Sequence, residues 1–382
     1  MDTVQTDDLR ELMGDRKGPC VSIFMPTHRA GPQIRQDSIR LKNLLRDAEE
    51  RLATAGLRGP EAKDLLKSPE ALLDDAAFWR HQSDGLAMFL ATGFFRTYRL
   101  PVTFDELVVV TDRFHVKPLL PFFTQDTRFY VLALSHNGRR LLQCTRQTVG
   151  EIDLPDAPER MTETPGYARP ETQLQLQAIA PPGQSGSGIV HGHGSSTDAS
   201  SEDLLRYFRH IDRSLMTVLK DEQAPLVLAA VEYLLPLYRQ VNSYPRLLEA
   251  GLTGNPEGLR DDELQSRGWA LIQPIFQEGR QQAAAQLQEA VNKGRGSDKL
   301  MEIVPAAAQG RVSILFVPVG VQQWGNFDRD THAIRLHQDA EPGDEDLLNL
   351  AASQTILHGG QVYAVPPDAM PTDGALSAVY RY

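Results

Sequence analysis

Cysteine is almost absent: 382 residues hold two, Cys20 and Cys144. Both lie in strand-like segments, and no Cys-x-x-Cys spacing occurs, so nothing supports a disulfide framework or a zinc–thiolate site. Long apolar runs are missing too. None approaches the roughly 20 residues of a membrane span. The opening Met1–Asp8 stretch is acidic and lacks an apolar core, which excludes a signal peptide; a bacterial-type cytoplasmic protein with no membrane partner is expected. No Walker motif, GxSxG elbow or Rossmann fingerprint appears, and no cofactor is expected. Surplus positive charge is also lacking. The net charge of −11 rules out a chain coated in basic surface for nucleic acid, but it leaves room for a local patch.

What is present is a biased stretch from Gly183 to Ser201, where eleven of nineteen residues are Gly or Ser and two others are His191 and His193. Such a tract buries too little apolar surface to offset its ordering entropy, so a mobile loop is expected. Long loops inside compact domains are uncommon and often functional. A helix should follow it, with Ser200-Ser201-Glu202-Asp203 as a capping box and Leu204, Phe208, Ile211, Leu215 and Val218 on one face.

The rest reads as an α/β chain. Val21–Met25 is a buried strand that feeds a Pro26–Pro32 loop and then a helix over about 36–53, with Leu41, Leu44, Leu45, Ala48 and Leu52 toward the core. Hairpins are expected at Ala91–Gly93 and at Asn137-Gly138, the latter because both residues tolerate positive φ. A buried strand is expected at Leu226–Val231 and a further strand at Arg311–Pro318. Helices are expected over about 261–293, kinked at Pro274, and over 344–358. Gly320–Asp330, with Trp324, reads as a loop. The boundaries suggest three domains: 1–125, 126–245 and 246–382.

Several of these segments carry a resemblance. Phe129–Leu134, the Asn137-Gly138 turn, the strand to Cys144 and the strand ending Asp153-Leu154-Pro155 resemble the middle domain of archaeo-eukaryotic peptide release factors and Pelota. There, similar strands lead to a mobile loop, a long helix and a buried strand. Ala306–Val317, Gly359-Gly360 before a strand, and the closing Val379–Tyr382 are similar to the third domain. The chain resembles the bacterial release-factor-like families, in particular the one numbered seven, over about two thirds of its length at the superfamily level. The resemblance implies an RNase H-like mixed sheet in the middle domain. It implies an α/β/α C-terminal domain of the Pelota or ribosomal kink-turn-binding type. Ribosome or tRNA would be the partner, and the C-terminal domain would offer a surface to a protein.

In true release factors the loop carries Gly-Gly-Gln, which helps place water at the peptidyl-tRNA ester. Here the corresponding residues are His191-Gly192-His193-Gly194-Ser195, so the family mechanism lacks its tripeptide. His193, with His191, is the candidate general base, because imidazole titrates near neutrality. The alternative is a polar loop whose histidines are incidental. A metal site would need further ligands that the sequence does not name. A literal Gly-Gly-Gln occurs at Gly359-Gly360-Gln361, but its place between a helix and a strand reads as a helix-capping turn.

Thr27 to Arg46 holds five basic residues against one acidic residue, Asp37. His28, Arg29 and Arg35 at the strand-to-helix loop, with Lys42 and Arg46 along the helix, form a candidate phosphate or RNA-backbone contact. The competing reading is an ordinary solvated helix face. Three functions stay open: a release-factor-like protein in termination or ribosome rescue, a non-catalytic RNA- or protein-binding adaptor, and a hydrolase using the loop histidines.

Overall fold

A computed structural model describes residues 6–16, 18–29, 31, 33–122, 128–165, 195–220 and 222–382, with backbone only at 6–7 and 195–200. The α/β class is as expected. After α1 (Thr6–Met13) the chain lays down β1 (Cys20–Pro26), α2 (Ile34–Thr54), α3 (Gly59–Ala71), α4 (Ala76–Arg80), β2 (Gly85–Ala91), β3 (Phe94–Leu100) and β4 (Leu107–Thr111). The four strands form one antiparallel sheet, in the order β3-β2-β1-β4. β1 and β2 are buried along almost their whole length because both faces are covered, and Ser22 is the one polar side chain in them. The β2–β3 hairpin turns at Gly93, whose φ of +73° only glycine adopts readily.

The next sheet is mixed. β5 (Phe129–Leu134), β6 (Arg139–Cys144) and β7 (Val149–Ile152) run antiparallel. α5 (Ser195–Val218) then leads to β8 (Leu226–Ala230), which lies parallel to β5. α6 (Leu234–Val241) and β9 (Leu252–Thr253) complete the order β7-β6-β5-β8-β9. The β5–β6 hairpin forms where expected but by another turn. Neither Asn137 nor Gly138 takes positive φ. Ser135 Oγ instead accepts the Asn137 N–H at 3.1 Å, and the Ser135 N–H bonds the Gly138 carbonyl at 2.9 Å. Leu204, Tyr207, Phe208, Ile211 and Leu215 of α5 bury against this sheet. The helix begins at Ser195, so Ser200–Asp203 lie within it rather than forming its cap.

α7 (Asp261–Asn292) continues through Pro274. Gly268 packs it onto β5, where a Cβ would lie 2.8 Å from the Phe129 ring. β10 (Gly296–Ser297), α8 (Leu300–Ala308), β11 (Val312–Pro318), β12 (Trp324–Phe327), β13 (Ile334–Leu336), β14 (Glu345–Asp346), α9 (Leu347–Leu357), β15 (Gln361–Val365) and β16 (Ser377–Tyr380) follow. β10-β16-β11-β15 form one sheet and β13-β12-β14 a small second one. Trp324 therefore lies in a strand, where a loop was expected. The signal is weak because Gly325 is dictated by a neighbouring backbone: a Cβ there would meet the Arg335 carbonyl at 2.2 Å.

These elements make two compact units. One holds residues 1–128, 145–148 and 272–382, and the other 129–144 and 149–271. In the first unit the early sheet and the last third share an apolar core. Phe24, Phe89 and Leu119 belong to the same cluster as Leu315, Leu348 and Ala351. Among the described residues no helix is long and apolar enough to cross a membrane.

Candidate functional site

The strand-to-helix loop after β1 is built around one buried carboxylate. Pro26 ends the strand, and Thr27 donates its N–H to the Asp84 carbonyl at 3.0 Å and its hydroxyl to the Ser83 carbonyl at 2.9 Å. Asp37, in the first turn of α2, is wholly buried and serves three donors: the His28 N–H, His28 Nδ1 and Arg40 Nη1, each at 2.9 Å. Charge-assisted bonds of this kind are stronger than neutral ones, and they satisfy a carboxylate that burial would otherwise penalise. Arg40 also reaches Glu106 at 2.8 Å. Arg29 forms a two-point pair with Asp84, at 2.8 and 2.7 Å.

The five basic candidates therefore divide. His28 and Arg29 are committed to carboxylates. Arg35, Lys42 and Arg46 are exposed and make no ion pair with any described residue. At 100° per residue the three fall within a narrow stripe of α2, opposite Leu41, Leu44, Leu45 and Ala48. Ile39 lies in the same stripe and is 60% exposed. The result is a solvent-facing row of three free cations around one apolar side chain. Such a row can neutralise phosphates without breaking any internal pair.

His191, Gly192, His193 and Gly194 lie outside the described residues. Ser195 is described only as the first backbone position of α5. The frame on either side is well defined. Arg139 donates to the carbonyls of Leu154, Ala157 and Pro158 at 2.9, 2.8 and 3.2 Å. Tyr207 of α5 donates to the Glu159 carbonyl at 3.0 Å, and Ser214 to that of Pro155 at 2.5 Å. The Met161 N–H bonds the His136 carbonyl at 3.1 Å, and Thr164 is buried. These bonds tie residues 154–161 to β6, to α5 and to the β5–β6 turn.

His136 marks the carboxyl end of β5, and Tyr233 that of the parallel strand β8. Ligand sites of open α/β sheets favour this end. The Tyr233 hydroxyl meets His136 Nε2 at 2.5 Å, and Tyr233 is 55% exposed. Glu257 lies beside Asn137 at 3.2 Å, and its carboxyl is held below its ordinary range by hydrogen bonds from Ser135, Asn137 and Asn255. The sequence reading missed this His–Tyr pair, because 97 residues separate its members and only parallel pairing brings them together.

Gly359-Gly360-Gln361 is a capping turn. Gly359 has φ +72°, its N–H bonds Ile356, and the Gly360 N–H bonds Thr355. A Cβ at Gly360 would lie 2.6 Å from Thr355 Cγ2. Gln361 opens β15 and donates to the Tyr363 hydroxyl at 2.8 Å.

The first unit also holds a buried ionic knot. Lys117 pairs with Asp346 at 2.5 Å and also donates to the Val321 carbonyl. Asp346 accepts the N–H groups of Gln323 and Leu348 at 3.0 and 3.1 Å. Asn349 Oδ1 accepts those of Val116 and Lys117 at 2.8 and 2.9 Å. Burial works against the Lys117 charge, and it pushes the neighbouring His115 imidazole down to about 4. Neither ring nitrogen of His115 has a hydrogen-bond partner, so this is a neutral core histidine. Among the described residues no group of three or more His, Cys, Asp or Glu is placed to hold a metal.

Residues 128–311 match the family model described as Bacterial archaeo-eukaryotic release factor family 3. This span, just under half of the chain, is release-factor-like. The matching family is the third, where the sequence resemblance had pointed to the seventh. No curated protein matches the chain. Among solved structures, the chain is similar to Saccharomyces cerevisiae Dom34, a translation termination-like factor, with 11% identity, 75% and 73% of the two chains covered and a TM-score of 0.38. It is similar to an archaeal translation termination factor, aRF1, with 13% identity, 98% and 96% covered and a TM-score of 0.23. It is also similar to Archaeoglobus fulgidus Pelota, with 13% identity, 98% and 92% covered and a TM-score of 0.24. At these scores the likeness is loose, and the functional reading rests on the matched span.

Proposed function

We propose that this chain is a release-factor-like protein that acts on the ribosome or on tRNA, in translation termination or ribosome rescue, without Gly-Gly-Gln hydrolysis. The release-factor match over 128–311 carries the reading. Two observations shape it. The sequence between Thr164 and Ser195 contains no Gly-Gly-Gln, and the literal copy at 359–361 serves as a helix cap. The free cations Arg35, Lys42 and Arg46 supply contacts to an RNA backbone, as three phosphate-facing charges on an otherwise acidic protein.

Co-sedimentation with purified ribosomes and filter binding to tRNA, at low and moderate salt, test this proposal. Binding that weakens with salt is expected. No binding at either salt would refute it.

A non-catalytic adaptor is the second reading, favoured by the missing tripeptide and the net charge of −11. It expects deletion of residues 186–196 to leave ribosome binding intact. A hydrolase using His193 and His191 expects that deletion, or a double alanine variant at the two positions, to abolish turnover of a peptidyl-tRNA ester.

A further inference from the structure

Between β13 and β14 the chain makes a turn in which every residue from 338 to 343 is exposed. Such a segment has little apolar contact to hold it, so its position depends on polar bonds. Inside the turn, the Glu341 N–H bonds Asp344 Oδ2 and the Asp344 N–H bonds the Glu341 carbonyl, both at 3.0 Å. From β12, Asn326 donates a longer bond to the Gly343 carbonyl, at 3.3 Å.

His337 closes the neck of this turn. Its Nδ1 lies 2.9 and 2.8 Å from the two oxygens of the buried Asp344. Its Nε2 lies 3.8 Å from the exposed carboxylate of Glu341. The His337 N–H bonds the Trp324 carbonyl at 3.0 Å. One residue thus joins two carboxylates of the turn to the strand that carries Trp324. Arg335 on β13 opposes a charge on the imidazole. The charges on the elements opposite are engaged elsewhere: Arg51 of α2 pairs with Asp47, and Asp112 after β4 lies 4.0 Å from Arg113.

The same turn is a wall. Ala340 and Pro342, with Trp324, line one side of a cleft of about 380 Å³, opposite Arg51 and Thr54 at the end of α2. All of these residues belong to the first unit.

Protonation sets how tightly the neck holds. A protonated imidazole bonds Asp344 with charge-assisted strength and attracts Glu341, whereas a neutral one keeps at most a single N–H···O bond. The Asp344 hydrogen bond, helped by the charges of Asp344 and Glu341, holds the imidazole above its usual 6.5. The stabilisation is therefore complete below about 6.5 and is lost as pH rises through the higher folded value.

We propose that the 338–343 turn is a pH-sensitive strap, which closes over the Trp324 cleft while His337 is protonated and frees it when His337 loses its proton. The device is independent of ribosome and tRNA binding.

Two readouts on the full chain test it at about pH 5.5 and 8.5, on either side of the histidine range. One is hydrogen-exchange protection of the Glu341 and Asp344 amides, corrected for the intrinsic pH dependence of exchange. The other is acrylamide quenching of tryptophan fluorescence. Protection should be about two- to fivefold greater at the lower pH, the worth of one part-exposed ion pair. Quenching should rise at the higher pH. In His337→Gln both differences should vanish, and this comparison removes the constant contribution of Trp79 and Trp269. Glu345, beside the turn, is raised to about 7 by burial, so the pair of proteins is also compared in a Glu345→Gln background, where the differences should persist.

Equal protection at the two pH values would overturn the proposal, as would the same pH dependence in His337→Gln, or a change in protection without a change in quenching. Glu341→Gln, an exposed change, should lower the pH midpoint of the transition. An unmoved midpoint would count against the strap, and this variant decides should His337→Gln fail to fold.

Discussion

Two groups of charges in the first unit are built on opposite terms. Lys117 and Asp346 are fully buried, paired at 2.5 Å, and surrounded by backbone donors and acceptors. Arg35, Lys42 and Arg46 face water and pair with nothing described. The first group costs desolvation, which its mutual attraction offsets only while both partners are present. The second costs little to expose and contributes little to stability. Charge paired internally holds the early sheet to the last third of the chain. Charge left unpaired is available to a partner. The loop at β1 shows both in one place, since His28 and Arg29 are absorbed by Asp37 and Asp84 while the stripe one turn further on is not.

The largest effect that could break this contrast is at the knot. Lys117→Met leaves Asp346 buried without its cation and should cost about 3–5 kcal/mol, read by denaturant unfolding. A loss under about 1 kcal/mol would mean that the pair is not the fastener described. Gly360→Ala comes next. Its Cβ would sit 2.6 Å from Thr355 Cγ2, an overpacking worth about 1–3 kcal/mol, with ribosome binding unchanged in the folded fraction. Loss of binding out of proportion to folding would return Gly-Gly-Gln to the functional account.

The pH dependence sharpens the comparison. His115 is depressed to about 4, so its contribution is present above its unfolded value and is lost as pH falls from about 6.5 towards 4. Glu345, chiefly through burial, is raised to about 7. Its protonated form favours the fold at low pH, and that contribution is lost as pH rises from about 4.5 to 7. The two oppose each other in one window. Glu345→Gln should expose the His115 slope, with stability falling on acidification, and His115→Gln should tilt the profile the other way. Parallel shifts in chemical denaturation across pH 4–7 for the two variants would contradict this assignment. Smallest in stability is the triple change Arg35→Gln, Lys42→Gln, Arg46→Gln, expected to stay within about 0.5 kcal/mol of the unmodified chain.

How far the sequence was legible follows the range of the interactions. The core face of α2 repeats with the helical period, and the buried strands β1, β5 and β8 are short apolar runs, so all could be read locally. So could the capping role of Gly359-Gly360, because a glycine pair between an apolar helix and an apolar strand has a local cause. The short strand at Trp324 could not, since its Gly325 answers to the Arg335 backbone. The start of α5 at Ser195 was hidden in a Gly- and Ser-rich stretch whose composition argues against helix. Of the site, the stripe was visible as spacing, but the withdrawal of His28 and Arg29 was not. Asp84, which takes Arg29, lies 55 residues away in sequence. The His136–Tyr233 pair and the Lys117–Asp346 knot are likewise products of tertiary pairing.

The central claim is that the free cations of α2 meet an RNA backbone while the buried ones only hold the fold. Ribosome co-sedimentation of the unmodified chain and the Arg35/Lys42/Arg46 triple glutamine variant, across a salt series, tests it most directly. The expected result is a variant that folds normally and binds more weakly. The slope of log affinity against log salt should fall by roughly 2–3, at about 0.9 for each phosphate no longer neutralised. An unchanged slope would contradict the account.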